Sequence, residues 1–127
     1  MRKAAKHYHA DWTLPPEPAQ RFENLVASHL LKWVNYCQDV EGRDLELRYF
    51  RDVDGREVDF VITERRKAIT AVECKWADSE IDRSLRYLKA RAVGCQAWQI
   101  SATGRKDYVT PEGIRVAPAI EFLRTLA

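Results

Sequence analysis

Two runs of alternating residues, Glu57 to Thr63 and Ala68 to Trp76, constrain this chain more than any other feature. A period of two belongs to a β-strand with one buried face. The short stretch Glu64-Arg65-Arg66-Lys67 between the runs leaves room only for a hairpin turn. In the first run Val58, Phe60 and Ile62 occupy every second position. In the second, Ile69, Ala71, Glu73 and Lys75 share one face, and Val72, Cys74 and Trp76 share the other. A turn centred on Arg66 sets Asp59 across from Glu73 and Glu57 across from Lys75, on one sheet face. Val58, Phe60, Val72 and Cys74 then fill the opposite face, so a slip of one residue would bury the charges. This register needs an odd number of unpaired turn residues, or a bulge that restores the phase.

Carboxylates facing each other on neighbouring strands repel, because opposed Cβ atoms lie only about 5 Å apart. Protonation of one group, a neighbouring cation or a bound divalent metal offsets that repulsion. Mg²⁺ or Mn²⁺ suits such a place, since a hard cation takes one or two carboxylates and completes its shell with water or phosphate oxygens. A plain ion-pair ladder is the competing arrangement. In it Lys75 neutralises Glu57 and no metal is needed.

The hairpin is embedded in a recognisable order of elements. From Gln20, the residues Phe22, Leu25, Val26, His29, Leu30, Trp33, Val34 and Cys37 recur at the spacing of one helical face. This predicts a helix of about five turns that stops before Gly42, with His29 packed in its apolar stripe. Glu23 falls at the edge of that stripe, near the helix N-terminus. Leu45–Phe50 reads as a strand turning through Asp54-Gly55 into the charged hairpin. A Ser79-x-x-Asp82 capping signal opens a second helix with Ile81, Leu85, Leu88 and Ala92 on its apolar side, and Gly94 ends it. Gln96–Ile100 and Ile114–Val116 read as further strands, and Pro118 starts a final helix containing Phe122, Leu123 and Leu126. A helix between strands usually returns the chain parallel, so the order implies an α/β fold with a mixed sheet and helices on both faces.

With 127 residues, 46% of them hydrophobic, the chain has the size and composition of one domain that folds without disulfide or metal. Residues 1–19 show no periodicity and contain Pro15, Pro16 and Pro18, so they read as an arm or linker ahead of a domain at 20–127. Within the arm, His7 and His9 are weak metal candidates, and Tyr8, Trp12 and Leu14 are the residues able to anchor it. Cys37, Cys74 and Cys95 include no paired spacing, which argues against a disulfide framework or zinc site. No run approaches the ~20 apolar residues of a membrane span. The expectation is a cytoplasmic protein without membrane contact. A net charge of +2 permits nucleic-acid binding without demanding it.

The arrangement of a helical Glu23, then Asp59, then Glu73-Cys74-Lys75 resembles the PD-(D/E)XK nuclease superfamily, over roughly residues 20–101. More narrowly, R-F-E-N-L-V-A-S-H-L (21–30), Y-F-R-D-x-x-G-R-E-V-D-F (49–60) and V-E-C-K (72–75) resemble the domain of unknown function found at the C-terminus of many bacterial and archaeal AAA-type ATPases. Val58 stands where the superfamily's proline would precede the aspartate. No G-x-x-x-x-G-K-[ST] loop is present, so the ATPase itself is absent, and residues 7–14 would be the tail of the segment that joins it. The resemblance implies a restriction-endonuclease-like αβββαβ core and Mg²⁺- or Mn²⁺-assisted hydrolysis of DNA phosphodiesters. Asp59, Glu73, the Cys74 carbonyl and Glu23 would hold the metal, with Asp59, Glu73 and Lys75 catalytic. Arg48, Arg51, Arg83 and Arg86 are candidates for the DNA backbone. A homodimer would accompany a junction-resolving nuclease. A catalytically silent accessory or interaction domain of an AAA-type ATPase is the alternative.

Overall fold

The computed structural model describes residues 2–3 and 17–126. His7, His9, Tyr8, Trp12 and Leu14 lie outside the described residues, as do Pro15 and Pro16.

A seven-stranded mixed sheet forms the middle of the molecule, in the order β1-β2-β3-β4-β5-β7-β6. Its strands are β1 (Arg2–Lys3), β2 (Leu45–Arg51), β3 (Glu57–Glu64), β4 (Lys67–Lys75), β5 (Gln96–Ser101), β6 (Tyr108–Val109) and β7 (Ile114–Pro118). Strands β2, β3 and β4 pair antiparallel; β5 joins β4, and β7 joins β5, in parallel. Helix α1 (Pro18–Glu41) and helix α3 (Ala119–Arg124) pack into one core, with Phe60, Ile62, Val72, Trp98 and Ile100. Helix α2 (Arg83–Arg91) packs into a separate core, with Val58, Val61, Ala71 and Ala97. The element order is thus the expected one, with additions. Two are short strands: β1, which lies within the arm and pairs Arg2 and Lys3 with Tyr49 and Arg48 on the β2 edge, and β6. Two residues apiece are too few to show periodicity.

Helix α1 begins at Pro18, inside the expected arm, because proline is tolerated where the first helical N–H is unpaired anyway. It ends at Gly42, whose φ of 67° closes the last turn through its N–H. Its buried stripe is Val26, Ala27, Leu30, Val34 and Cys37. His29 is exposed, not packed, and Leu25 is half exposed. Ala27 takes the buried place instead, because the stripe's axis passes along 27-30-34 and leaves 25 and 29 beyond its edge. Helix α2 starts later than expected. Asp82 is its N-cap, accepting from the Ser84 and Leu85 N–H groups, whereas the Ser79 hydroxyl bonds the Ala77 carbonyl. Pro118 likewise precedes α3 as its cap.

The hairpin register is set by a bulge. Arg65 and Arg66 form the tight turn, both with positive φ (51° and 69°), and pair Glu64 with Lys67. That two-residue turn has the wrong parity for Asp59 to face Glu73. Ile69 supplies the missing residue: the pairing passes from Thr63↔Ala68 to Ile62↔Thr70, then continues to Phe60↔Val72. Ile69 therefore packs in the α1 core beside Val72, not on the face of Ala71. A second irregularity lies between β2 and β3, where Arg48↔Val61 is followed by Phe50↔Val58 and two residues of β3 face Tyr49. Here β3 changes phase. Val58 is buried in the α2 core while Phe60 is buried in the α1 core, which corrects the expectation that both fill one face.

Candidate metal centre

The β3–β4 ladder ends at Phe60↔Val72, and beyond it side chains replace the backbone pairing. The Asp59 N–H donates to Glu73 Oε1 at 3.1 Å, and the Cys74 N–H donates to Asp59 Oδ2 at 2.9 Å. Each carboxylate thus bonds the other strand's main chain, and the two strands are stitched together by the groups that repel. Such crossed bonds satisfy buried N–H groups that a widened hairpin would otherwise strand.

Glu73 is only 8% exposed. Burial, and then the charges of Asp59 and Asp82, push its carboxyl up to about 8, against the opposing effects of the Asp59 N–H and Lys75. Burial also raises Asp59, although the Cys74 N–H and the Lys75 charge pull it back. Glu23 reaches the same cluster from α1: burial and the charge of Asp59 lift it to about 7. Carboxylates from the helix and both hairpin strands are therefore held in one electrostatic unit, at a cost that a proton or cation relieves.

Among the described residues, Lys75 brings a positive charge to this group. Its Nζ lies 3.0 Å from Asp82 Oδ2 and 3.6 Å from Glu73 Oε2. Burial disfavours the ammonium, but the Asp82 bond and the charges of Glu73, Asp82 and Asp59 outweigh it and hold Lys75 above the ordinary lysine value. The ion-pair ladder between Glu57 and Lys75 does not form. Glu57 pairs instead with Arg51, directly across the β2–β3 ladder. Once the β3–β4 pairing stops at Phe60, Arg51 is the nearer cation. Cys74 enters the cluster through its N–H, and its thiol, raised well above the usual value by burial and the surrounding carboxylates, is not poised to ionise.

Two residues complete the arrangement that pattern reading did not assign to it. Asp82 divides its oxygens: Oδ1 caps α2 and Oδ2 holds Lys75. Gln99, 2% exposed, receives the Asp82 N–H at 2.8 Å and donates to the Ser79 and Glu80 carbonyls. It locks the β4–α2 connection over the strand ends. The lone glutamine inside the apolar run Ala97-Trp98-Gln99-Ile100 was the available signal, because a buried amide must find partners. Of the candidate DNA-contacting arginines, Arg48 pairs with Glu46, Arg51 with Glu57 and Arg86 with Glu112, and Arg51, Arg83 and Arg86 are exposed.

Oxygen donors dominate the site, and this donor chemistry fits a hard divalent cation better than a thiophilic one. Among the described residues, no three Asp, Glu, His or Cys side chains are grouped so as to hold a metal as they stand.

Fold and site define a mixed α/β domain with a partly buried carboxylate–lysine cluster where its central hairpin parts. The chain belongs to the family described as Domain of unknown function (DUF4143), whose model matches residues 20–122 and so spans every residue of the cluster. No curated protein and no solved structure matches it. Among the described residues, no helix is long and apolar enough to cross a membrane.

Proposed function

We propose that this domain has a restriction-endonuclease-like core and is a metal-dependent phosphodiesterase acting on DNA. The observation that carries the reading is the pair Asp59 and Glu73, half-buried and buried respectively, each bonded to the other strand's main chain, with Lys75 3.6 Å from Glu73 Oε2. Mutually repelling carboxylates withdrawn from water are costly to stability, and such clusters are characteristic of functional sites. Asp59 and Glu73, with Glu23 reaching in from α1, are the side chains that would hold Mg²⁺ or Mn²⁺. The ion would supply charge neutralisation at a phosphate oxygen and an acidified water. Lys75 orients the attacking water and offsets charge that develops on the phosphoryl oxygens. Asp82 keeps the lysine charged and aimed, and Gln99 fixes Asp82.

One observation favours a second reading, a catalytically silent accessory domain of an AAA-type ATPase. Each carboxylate of the pair already accepts a backbone N–H, and Lys75 is shared between two carboxylates, so the cluster is internally satisfied without metal. Thermal melts with and without Mn²⁺, for the wild type and Asp59→Asn, separate the two. The nuclease reading expects Mn²⁺ to stabilise the wild type by about 2.7 kcal/mol at a hundredfold excess over its dissociation constant. The shift should vanish in Asp59→Asn, whose metal-free form holds or gains stability as the repulsion is removed. No metal response in the wild type, together with an Asp59→Asn protein that melts lower, would favour the silent domain.

A further inference from the structure

Beside the cluster, the loop after β4 (76–82) and the loop after β5 (102–107) are fastened to each other. The Ala102 N–H donates to the Lys75 carbonyl at 3.1 Å. Thr103 donates to the Trp76 carbonyl twice, from its N–H at 2.8 Å and its hydroxyl at 2.7 Å. The Asp78 carboxylate then receives the N–H groups of Arg105 (3.1 Å) and Lys106 (3.2 Å). Only glycine permits the wrap: a Cβ at Gly104 would lie 2.3 Å from Asp78 Oδ1 and 2.4 Å from Ser101 Oγ.

The fastening has a chemical consequence. Asp78 accepts main-chain amides, and the Arg105 and Lys106 side chains beyond it are exposed and make no ion pair among the described residues. Asp107, the next acid along, pairs with Arg115; Asp78, Glu80 and Asp107 are all exposed, and Glu80 makes no ion pair among the described residues. Trp76 follows Lys75 directly and is 46% exposed, on a backbone pinned by Thr103. A large indole held in water, one residue from the half-buried Lys75 and on a loop fastened to the one that carries Arg105 and Lys106, suits a partner with a flat apolar face and negative charge. Unpaired nucleotides offer both, whereas the bases of a duplex present only their edges.

We propose that these two loops form a binding platform for single-stranded nucleic acid, with a base stacked on Trp76 and neighbouring phosphates on Arg105 and Lys106. The strand is thereby led onto Asp59, Glu73 and Lys75. The inference names a substrate class for the nuclease reading and rests on it for the role of that cluster.

Fluorescence anisotropy of a labelled oligo(dT) about a dozen nucleotides long, in EDTA, measures binding without cleavage. Wild type should bind it more tightly than a duplex of equal length. Trp76→Ala should weaken binding about tenfold or more, and Trp76→Phe should restore most of it. Arg105→Ala with Lys106→Ala should reduce the salt-dependence slope by about 1.4, at about 0.7 per phosphate contact. Preference for duplex, or Trp76→Ala binding like wild type, overturns the platform, as does Trp76→Phe no better than Trp76→Ala. The two ideas fail separately. Trp76-dependent binding with no metal-dependent cleavage sinks the nuclease reading alone, while cleavage that survives beside unchanged Trp76→Ala binding sinks the platform alone.

Discussion

Replacing Glu73 with glutamine should remove a pH dependence that the wild-type fold carries. Glu73 keeps its shape in this variant, and the amide oxygen still accepts the Asp59 N–H. The wild-type carboxyl sits at about 8 in the folded protein against an ordinary 4.5, so the native state holds its proton more tightly than the unfolded chain. The favourable contribution is therefore complete below about pH 4.5 and is lost as pH rises through about 8. A rise of about 3.5 units is worth at most about 5 kcal/mol at ~1.36 kcal/mol per unit. Burial is the largest cause of the rise, and because the Asp59 and Glu73 titrations are linked, roughly half of that, about 2 to 3 kcal/mol, is the expected loss. In a domain of this size that is a fall of about 10 °C in melting temperature between about pH 5 and pH 8.5. Circular-dichroism melts in EDTA across that range should show the wild type declining relative to Glu73→Gln, with the two closest at the acid end. Saturating Mn²⁺ should recover the wild type at high pH and move the variant far less, because the variant lacks one of the carboxylates that would hold the ion. Parallel curves for the two proteins from pH 5 to 8.5 would refute the claim that Glu73 is held protonated by its surroundings.

Other consequences are more local. Lys75→Ala should spare Mn²⁺ binding, read by calorimetry, while abolishing cleavage of DNA, since its assigned role lies in the transition state. Arg66→Gly should raise stability by about 1 kcal/mol in urea unfolding, because Arg66 occupies the left-handed region at φ 69° where a Cβ is penalised. Gly104→Ala should cost about 1 to 3 kcal/mol by the same measurement, as the new methyl meets Asp78 Oδ1 at 2.3 Å and must push the two loops apart.

Much of this molecule is written locally in the chain. Periodicity alone marks α1, β3, β4 and α2, because the alternation of buried and exposed positions is a property of neighbouring residues. Gly42 announces the end of α1 by the same kind of short-range rule. The opposition of Asp59 and Glu73 was also legible, since burial of Phe60 and Val72 leaves few registers open. What makes that register possible was not. Ile69 as the bulged residue follows from the parity of a two-residue turn at Arg65-Arg66, which only the folded hairpin reveals. The second phase change, which sends Val58 and Phe60 to different cores, is imposed by pairing with β2 and leaves no mark in the β3 sequence.

Partner choice among charges belongs wholly to the tertiary structure. The sequence offers Glu57 both Arg51 and Lys75, and only the end of the ladder at Phe60 assigns it to Arg51, releasing Lys75 to Asp82 and Glu73. Asp82 looks like an ordinary helix cap until its second oxygen meets Lys75, seven residues back, and Gln99 reaches its N–H from seventeen residues on. His29 reads as core because spacing fixes an angle around α1, yet whether that angle faces protein or water depends on which elements pack there. Local pattern thus determines which residues form helices and strands. Long-range packing decides which side chains meet, because a charge or a hydrogen-bonding group settles with the nearest partner in space, and that neighbour is set by the whole sheet.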